Sequence, residues 1–301
     1  MPSTLQGSNT NSRAPEHSGW FTIPTVLARL FKRFPLLTYP PNELPIRSPD
    51  IRDVPTLYVF ISDEDALQGL PSFNPACLKW QTFLKLAGVD FRLRPSNNHA
   101  SPTGALPFLL PPSAPNDARS QIPVPSNKLE QYGLKNGKSK LPGHLDPRLE
   151  AYESLLNHRI RDAWLYTLYL SPANTNLLTS LYIAPATSSR PVRATLLYQL
   201  RHAAELGILR STGKHVIDPG ALYNGVKEAF GALEALLGVD IWFFGSETPG
   251  LFDATVFSYT HLILHESLAW ENRRLNEILQ DFPRLIDHRE RIFQKCWGFN
   301  T

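Results

Sequence analysis

The spacing of hydrophobic positions changes from strand-like to helix-like near residue 140, and this change predicts two kinds of domain. Residues 56–61 are β-branched and aromatic, which is typical of a buried strand. Residues 75–87 place apolar side chains at helical spacing between Pro75 and Gly88, which favours a helix there. Further strands are predicted at 90–94, 106–110 and 121–125, and a short helix is predicted at 126–134. Because the strand at 121–125 contains prolines, we expect it at an edge of the sheet. This order predicts a small α/β domain over residues 55–135.

Helical periodicity then continues from residue 146 to the end of the sequence. Within 146–170, for example, Leu149, Tyr152, Leu156 and Ile160 recur near helical spacing. Further helices are predicted at 174–183, 190–209, 219–237, 251–267 and 271–295, the last with a break at Pro283. Residues 136–145 are rich in Lys, Gly and Ser, which is typical of a linker. The prediction is therefore an α/β domain joined to an all-α domain over 146–301.

Residues 1–54 form an N-terminal extension ahead of these domains. Residues 1–19 are polar, which is typical of disorder. Residues 20–54 combine prolines with apolar side chains that a free tail would lack, so their surface is expected to be buried on the protein's own core or on a partner. We interpret them as a docking arm, because aromatic anchors on a pre-stiffened segment commonly carry interface energy. The candidate partner-docking residues are Trp20, Phe21, Leu27, Leu30, Phe31, Phe34 and Tyr39.

Composition narrows the class of protein. The chain has 301 residues, a 42% hydrophobic share and a formal charge of +3, which gives a sizeable core and no case for a nucleic-acid binder. Two cysteines provide neither a disulfide framework nor a zinc cluster. No secretory signal is predicted, no stretch reaches about 18 consecutive apolar residues, and no hydrophobic tail follows Trp297. We therefore expect any membrane contact to be peripheral.

Three short motifs, taken in order, resemble the glutathione-transferase fold. They are Ala87-Gly-Val-Asp-Phe91, Ser101-Pro-Thr-Gly-Ala-Leu-Pro-Phe-Leu109, and Trp242-Phe-Phe-Gly245 followed by Asp253. The resemblance implies an N-terminal thioredoxin-like domain and a C-terminal helical domain. It also implies two fold-defining residues. Pro107 would follow a cis peptide bond, and Asp253 would belong to a capping box whose first residue is here Gly250.

Within that fold the chain is similar to the metaxin family. The stretches that carry this resemblance are 57–60, 70–78, 101–108 and 250–259, with an arm, 34–45, like that of a fungal receptor-like subunit. The resemblance implies a peripheral protein on the cytosolic face of the mitochondrial outer membrane, without enzymatic activity or cofactor. Its implied partners are the β-barrel assembly subunit of the sorting and assembly machinery, a second metaxin-like subunit and β-barrel precursors.

The alternatives are an active glutathione transferase and an interaction module of another complex. The resemblance implies that a transferase needs a hydroxyl or thiol at the start of the first helix, and a Glu/Gln-Ser pair that grips the γ-glutamyl group. Asn74 stands at the first position, and Cys77 lies one turn deeper, where a small buried hydrophobe is expected. Pro125 replaces the Glu/Gln, and Ser126 is expected to cap a helix. Tyr58 and Ser62 remain possible hydroxyl donors.

Other clusters give weaker signals. His261 and His265 have zinc-compatible spacing, with Glu266 beside them, but a third ligand is missing, so no metal is predicted. A run of cations is interpreted either as a solvated helix face or as a contact for acidic lipid headgroups or an acidic partner. Its members are Arg190, Arg193, Arg201, Arg210 and Lys214.

Overall fold

The first half of the chain folds around a four-stranded mixed sheet. The computed structural model describes residues 53–113, 122–142 and 146–298, so the candidate docking residues from Trp20 to Tyr39 lie outside the described part. The strands are β1 (Thr56–Val59), β2 (Arg92–Pro95), β3 (Phe108–Leu110) and β4 (Val124–Pro125), in the order β2-β1-β3-β4. β1 is parallel to β2 and antiparallel to β3, which is antiparallel to β4. The proline-containing β4 therefore lies at an edge, as predicted.

Three helices accompany this sheet, and one of them was not predicted. They are α1 (Asp63–Gln68), α2 (Pro75–Leu86) and α3 (Leu129–Asn136). The unpredicted α1 is held by its ends, because the Ser62 hydroxyl accepts the Asp65 N–H at 3.0 Å and Gly69 adopts a left-handed conformation.

The expectation that Ser126 caps a helix is wrong. Ser126 begins a 3₁₀ turn, Ser126–Lys128, that leads into α3, and Pro125 occupies the capping position ahead of that turn. Neither the turn nor α3 receives a side-chain cap bond. The hydroxyl lies one position inside the turn, which removes it from the capping role.

The second half is helical, as predicted. Its elements are α4 (residues 149–170), α5 (175–183), α6 (Arg190–Thr212), α7 (Pro219–Leu237), α8 (Leu251–Leu264), α9 (Arg274–Gln280) and α10 (Pro283–Trp297). Two of these contain π-helical turns, in α4 at Leu156–Ile160 and Tyr166–Leu170, and in α5 at Thr179–Ile183. Such turns are rare and occur frequently at functional sites. No helix within the described ranges combines the length and the hydropathy that crossing a bilayer would require.

Helix α8 links the two halves, because it packs against both α2 and α10. Most of its residues are buried, including Phe252, Val256, Phe257 and Leu262. Further contacts join the halves at the end of α10. Lys85 Nζ donates to the Cys296 carbonyl at 3.1 Å, and the Trp297 indole donates to the Gly69 carbonyl at 2.9 Å. The sheet domain therefore rests on the helical domain through a continuous hydrophobic core.

The two fold-defining features expected from the resemblance are present. The Leu106–Pro107 peptide bond is cis. Asp253 is 3% exposed, and its carboxylate accepts the N–H of Gly250 at 2.9 Å and that of Phe243 at 3.1 Å. Because glycine has no side chain, only the Asp253 half of the capping box can form. The same carboxylate lies 2.9 Å from Nε2 of the fully buried His288, which therefore donates to it.

We expect Asp253→Ala to lower the free energy of unfolding by about 3 kcal/mol or more, because it leaves two buried N–H groups and a buried imidazole without a hydrogen-bond acceptor. Denaturant unfolding of the purified protein measures the loss. Asp287→Ala, which removes an exposed carboxylate from α10, is the matched control and should change stability by less than about 0.5 kcal/mol. Equal effects of the two substitutions would contradict this account of the Asp253 network.

Candidate functional site

The candidate site is the N-terminal end of α2, where the resemblance places the reactive group of a transferase. Asn74 caps this helix, and both ends of its amide are engaged. Its Oδ1 accepts the Cys77 N–H at 3.2 Å, and its Nδ2 donates to the Tyr182 hydroxyl at 3.0 Å. The first bond satisfies a free N–H of the helix start, and the second ties the sheet domain to α5. Asn74 thus has a structural role at this position.

Tyr182 belongs to an aromatic cluster made of Phe60, Phe73, Tyr169 and Tyr182. Ring centroids of Tyr182 lie 5.2 Å from Phe60, 5.3 Å from Phe73 and 5.9 Å from Tyr169. The first two contacts are edge-to-face, the arrangement that aromatic quadrupoles favour. Burial is the main cause that raises the pKa of Tyr182 well above its ordinary value, so the phenol stays protonated. The cluster therefore places packed aromatic rings beside Asn74.

Cys77 is fully buried, as predicted. Its Sγ accepts the Phe60 N–H at 3.5 Å. Burial raises the pKa of the Cys77 thiol to about 12, and this effect outweighs the lowering by the hydrogen bond from the Phe60 N–H. At neutral pH the group is a thiol, which is a poor nucleophile. It behaves as a small core residue.

The structure does not gather the proposed hydroxyl donors at the α2 N-terminus. Tyr58 stacks on Phe108 across the sheet, with ring centroids 4.6 Å apart, and Ser62 caps α1. Sequence reasoning missed Ser72, whose hydroxyl accepts the Asn74 N–H at 3.2 Å and donates to the Phe60 carbonyl at 2.6 Å. Its position two residues before the capping Asn74 was the available signal. This hydroxyl proton is already committed to a backbone carbonyl.

Of the two histidines, His261 lies in the core within α8, whereas His265 follows the last residue of α8 and is half-buried. His261 is 1% exposed and stacks between Phe257 and Phe293, at centroid distances of 4.9 and 5.3 Å. Burial is the largest of three causes that lower its pKa to about 2, so it stays neutral. Within the described ranges, no group of three or more His, Cys, Asp or Glu side chains is arranged to hold a metal ion.

The run of cations along α6 divides into two kinds. Arg193 donates to the Thr187 carbonyl, and Arg201 donates to the Tyr169 carbonyl and the Thr175 hydroxyl, so both support the local fold. Arg190, Arg210 and Lys214 are exposed. The run is therefore not one continuous solvated face.

Comparison with known proteins agrees with this architecture. A model of the glutathione S-transferase N-terminal domain matches residues 75–174, and a model of the glutathione S-transferase C-terminal domain matches residues 226–292. No curated protein matches the chain significantly. The chain therefore has glutathione-transferase-like N- and C-terminal domains, and its fold is a thioredoxin-like domain followed by a helical domain.

Several solved structures are similar at low identity. Glutaredoxin 2 from Salmonella typhimurium in complex with glutathione is 16% identical, with a TM-score of 0.48 over 81% of this chain and 95% of that chain. A glutathione S-transferase from Ceriporiopsis subvermispora in complex with glutathione is 12% identical, with a TM-score of 0.46 over 77% and 98%. Glutathione S-transferase III in apo form is 15% identical, with a TM-score of 0.43 over 80% and 91%.

We expect Cys77 to resist alkylation in the folded protein. With a pKa of about 12, only about one thiol in 10⁴ is ionised at pH 8, and raising the pH to 9 still leaves about one in 10³. Iodoacetamide labelling followed by mass spectrometry measures the rate. The same protein in denaturant is the control, because the unfolded thiol regains its ordinary pKa. Equal rates at Cys77 in the two states would contradict the buried, protonated thiol.

Proposed function

We propose that this protein is a non-catalytic receptor and scaffold subunit of the mitochondrial outer-membrane sorting and assembly machinery, which assists the recognition and insertion of β-barrel precursors. The observation that carries the non-catalytic part is the α2 N-terminus. There Asn74 binds Cys77 and Tyr182, where a transferase would present a thiolate-stabilising group.

Three features of the site support the loss of catalysis. Both polar atoms of the Asn74 amide are engaged within the protein, since Oδ1 accepts the Cys77 N–H and Nδ2 donates to the Tyr182 hydroxyl. The rings of Phe60, Phe73 and Tyr182 pack together beside it. Pro125 lacks the N–H and the polar side chain that would grip a γ-glutamyl group. Catalysis depends on groups placed for the transition state, and the named groups here are committed to folding.

The assignment to the assembly machinery is supported by the metaxin resemblance of 57–60, 70–78, 101–108 and 250–259. A fold alone does not define a function, so these motifs and the docking arm carry the proposal. The proposed partners are the β-barrel assembly subunit, a second metaxin-like subunit and β-barrel precursors. The proposed location is the cytosolic face of the mitochondrial outer membrane, with peripheral attachment and no cofactor.

We expect the purified protein to be neither retained on glutathione resin nor able to conjugate glutathione to a standard electrophile above background. The matched variant Asn74→Cys restores a thiol at the helix start but leaves the aromatic cluster and Pro125 in place, so it should also fail. A glutathione transferase assayed in parallel is the positive control. Retention and turnover by the unchanged protein would replace the scaffold proposal with the active-transferase alternative.

We expect deletion of residues 20–48 to abolish co-purification with the β-barrel assembly subunit while leaving the melting temperature of the two-domain body nearly unchanged. The apolar anchors of this segment would supply the interface energy. Deletion of residues 1–19 is the matched control and should preserve co-purification. A collapse of the melting temperature after removal of 20–48 would show instead that the arm belongs to the protein's own core.

A further inference from the structure

A cavity of about 340 Å³ lies in the helical domain, away from the α2 N-terminus. We call it the α4–α7 cavity, because α4, the C-terminal end of α6, the following loop and the N-terminal half of α7 form its walls. Its volume is near the lower end of the range for small-molecule sites, about 300–1,000 Å³. One wall is polar and cationic, with His158, Arg159, Ser211 and Lys214, and another is apolar, with Val216 and Leu222.

The π-helical turn Leu156–Ile160 presents two of the polar side chains, His158 and Arg159. This turn packs against α7. Turns of this kind are rare inside α-helices, and they occur frequently at functional sites. The turn therefore contributes two polar side chains to the cavity lining.

Arg159 is seated against a glycine of α7. A Cβ at Gly225 would lie 3.2 Å from both Cδ and one terminal nitrogen of Arg159. Glycine in the interior of a helix is less favourable than alanine by about 1 kcal/mol. Here it gives the arginine side chain room to lie along the cavity wall. Gly225 therefore lowers the stability of α7 at the position where Arg159 lies against it.

The two cations of the cavity have free hydrogen-bonding capacity. Throughout the described ranges, the side chains of Arg159 and Lys214 make neither a hydrogen bond nor an ion pair with another side chain, and both residues are exposed. By contrast, Lys227 on the same helix as Gly225 pairs with Asp281 at 2.8 Å. Beside the cations, the Ser211 hydroxyl lies 3.0 Å from His158 Nδ1. These groups can converge on one polyvalent anion.

Two acids lie near the cavity, and one of them, Asp218, is part of its lining. Asp218 lines the cavity, but its Oδ1 accepts the Ala221 N–H at 3.2 Å as the cap of α7. Asp162 does not line the cavity and is fully buried, which raises the pKa of its carboxyl group. Arg161 lies 3.7 Å from its Oδ1, and Ser211, His158 and Arg159 also favour its charged form. Among the lining side chains, Arg159 and Lys214 carry two positive charges and Asp218 carries one negative charge. The net charge of the lining is therefore +1 when His158 is neutral.

We propose that the α4–α7 cavity binds a phosphate monoester that carries a small apolar group. Arg159 and Lys214 contact the phosphate, Ser211 and His158 add hydrogen bonds, and the apolar group lies against Val216 and Leu222. Guanidinium and ammonium groups are the usual protein partners of phosphate. The half-apolar lining accounts for a ligand larger than inorganic phosphate. The source of the phosphate monoester is either a soluble metabolite or the headgroup of phosphatidic acid.

Isothermal titration calorimetry with phenyl phosphate and with inorganic phosphate tests the proposal on the full-length protein. We expect saturable binding of phenyl phosphate and weaker binding of inorganic phosphate. Arg159→Gln and Lys214→Gln should each lower the affinity by about tenfold or more, since each removes a charge-assisted hydrogen bond. Arg210→Gln, an exposed cation of α6 outside the cavity lining, is the matched control and should leave affinity within about twofold.

Gly225→Ala tests the site without destabilising the helix, because alanine favours the helix while its Cβ forces the Arg159 side chain to shift by a few tenths of an ångström. It should weaken phenyl phosphate binding without lowering the melting temperature. A second arm uses phosphatidylcholine vesicles with and without phosphatidic acid. Binding to phosphatidic acid vesicles that requires Arg159, without binding of phenyl phosphate, would assign the site to a lipid headgroup. Absence of binding in both arms, or equal losses in Arg210→Gln and Arg159→Gln, would overturn the site.

Discussion

The structure depends on one buried carboxylate, that of Asp253. It accepts two backbone N–H groups, from Gly250 and Phe243, and the imidazole of His288. These bonds fix the start of α8, the loop before it and the middle of α10 at a single point. A buried charge with this many donors is held in one geometry, because losing any donor would leave a costly unsatisfied group. Since α8 packs on α2, the position of the sheet domain follows from this point.

Helix α2, against which α8 packs, is capped at its start by Asn74, where packing and hydrogen bonds hold the polar groups. Here the Asn74 amide is bonded on both sides, Ser72 donates to a carbonyl, and Cys77 is a buried thiol. Each group satisfies a neighbour that would otherwise be unpaired in the core, so each has a stabilising role without any ligand. The same residues cannot readily be recruited for catalysis without breaking those bonds.

The sequence predicts the elements whose periodicity is long and leaves out those decided by single contacts. Helix α7 has the predicted limits, 219–237, because its apolar positions recur over about five helical turns. Asp218 caps its N-terminal end, and Gly238 follows its C-terminal end. Helix α1 was missed because six residues, Asp63–Gln68, carry no apolar stripe. Ser126 was misassigned because the α3 entry is a 3₁₀ turn, which the residue pattern does not distinguish from a helix start.

The candidate site was harder to predict, because its contacts join distant positions. Asn74 and Tyr182 are 108 residues apart, and Tyr169 and Tyr182 reach their cluster from π-helical turns. A π turn shifts every following side chain around the helix axis, which a fixed helical period does not anticipate. In α4 this happens twice. One turn directs Tyr169 into a closed aromatic cluster, and the other directs Arg159 onto an open cavity. The same departure from helix regularity therefore contributes to both the aromatic cluster and the α4–α7 cavity.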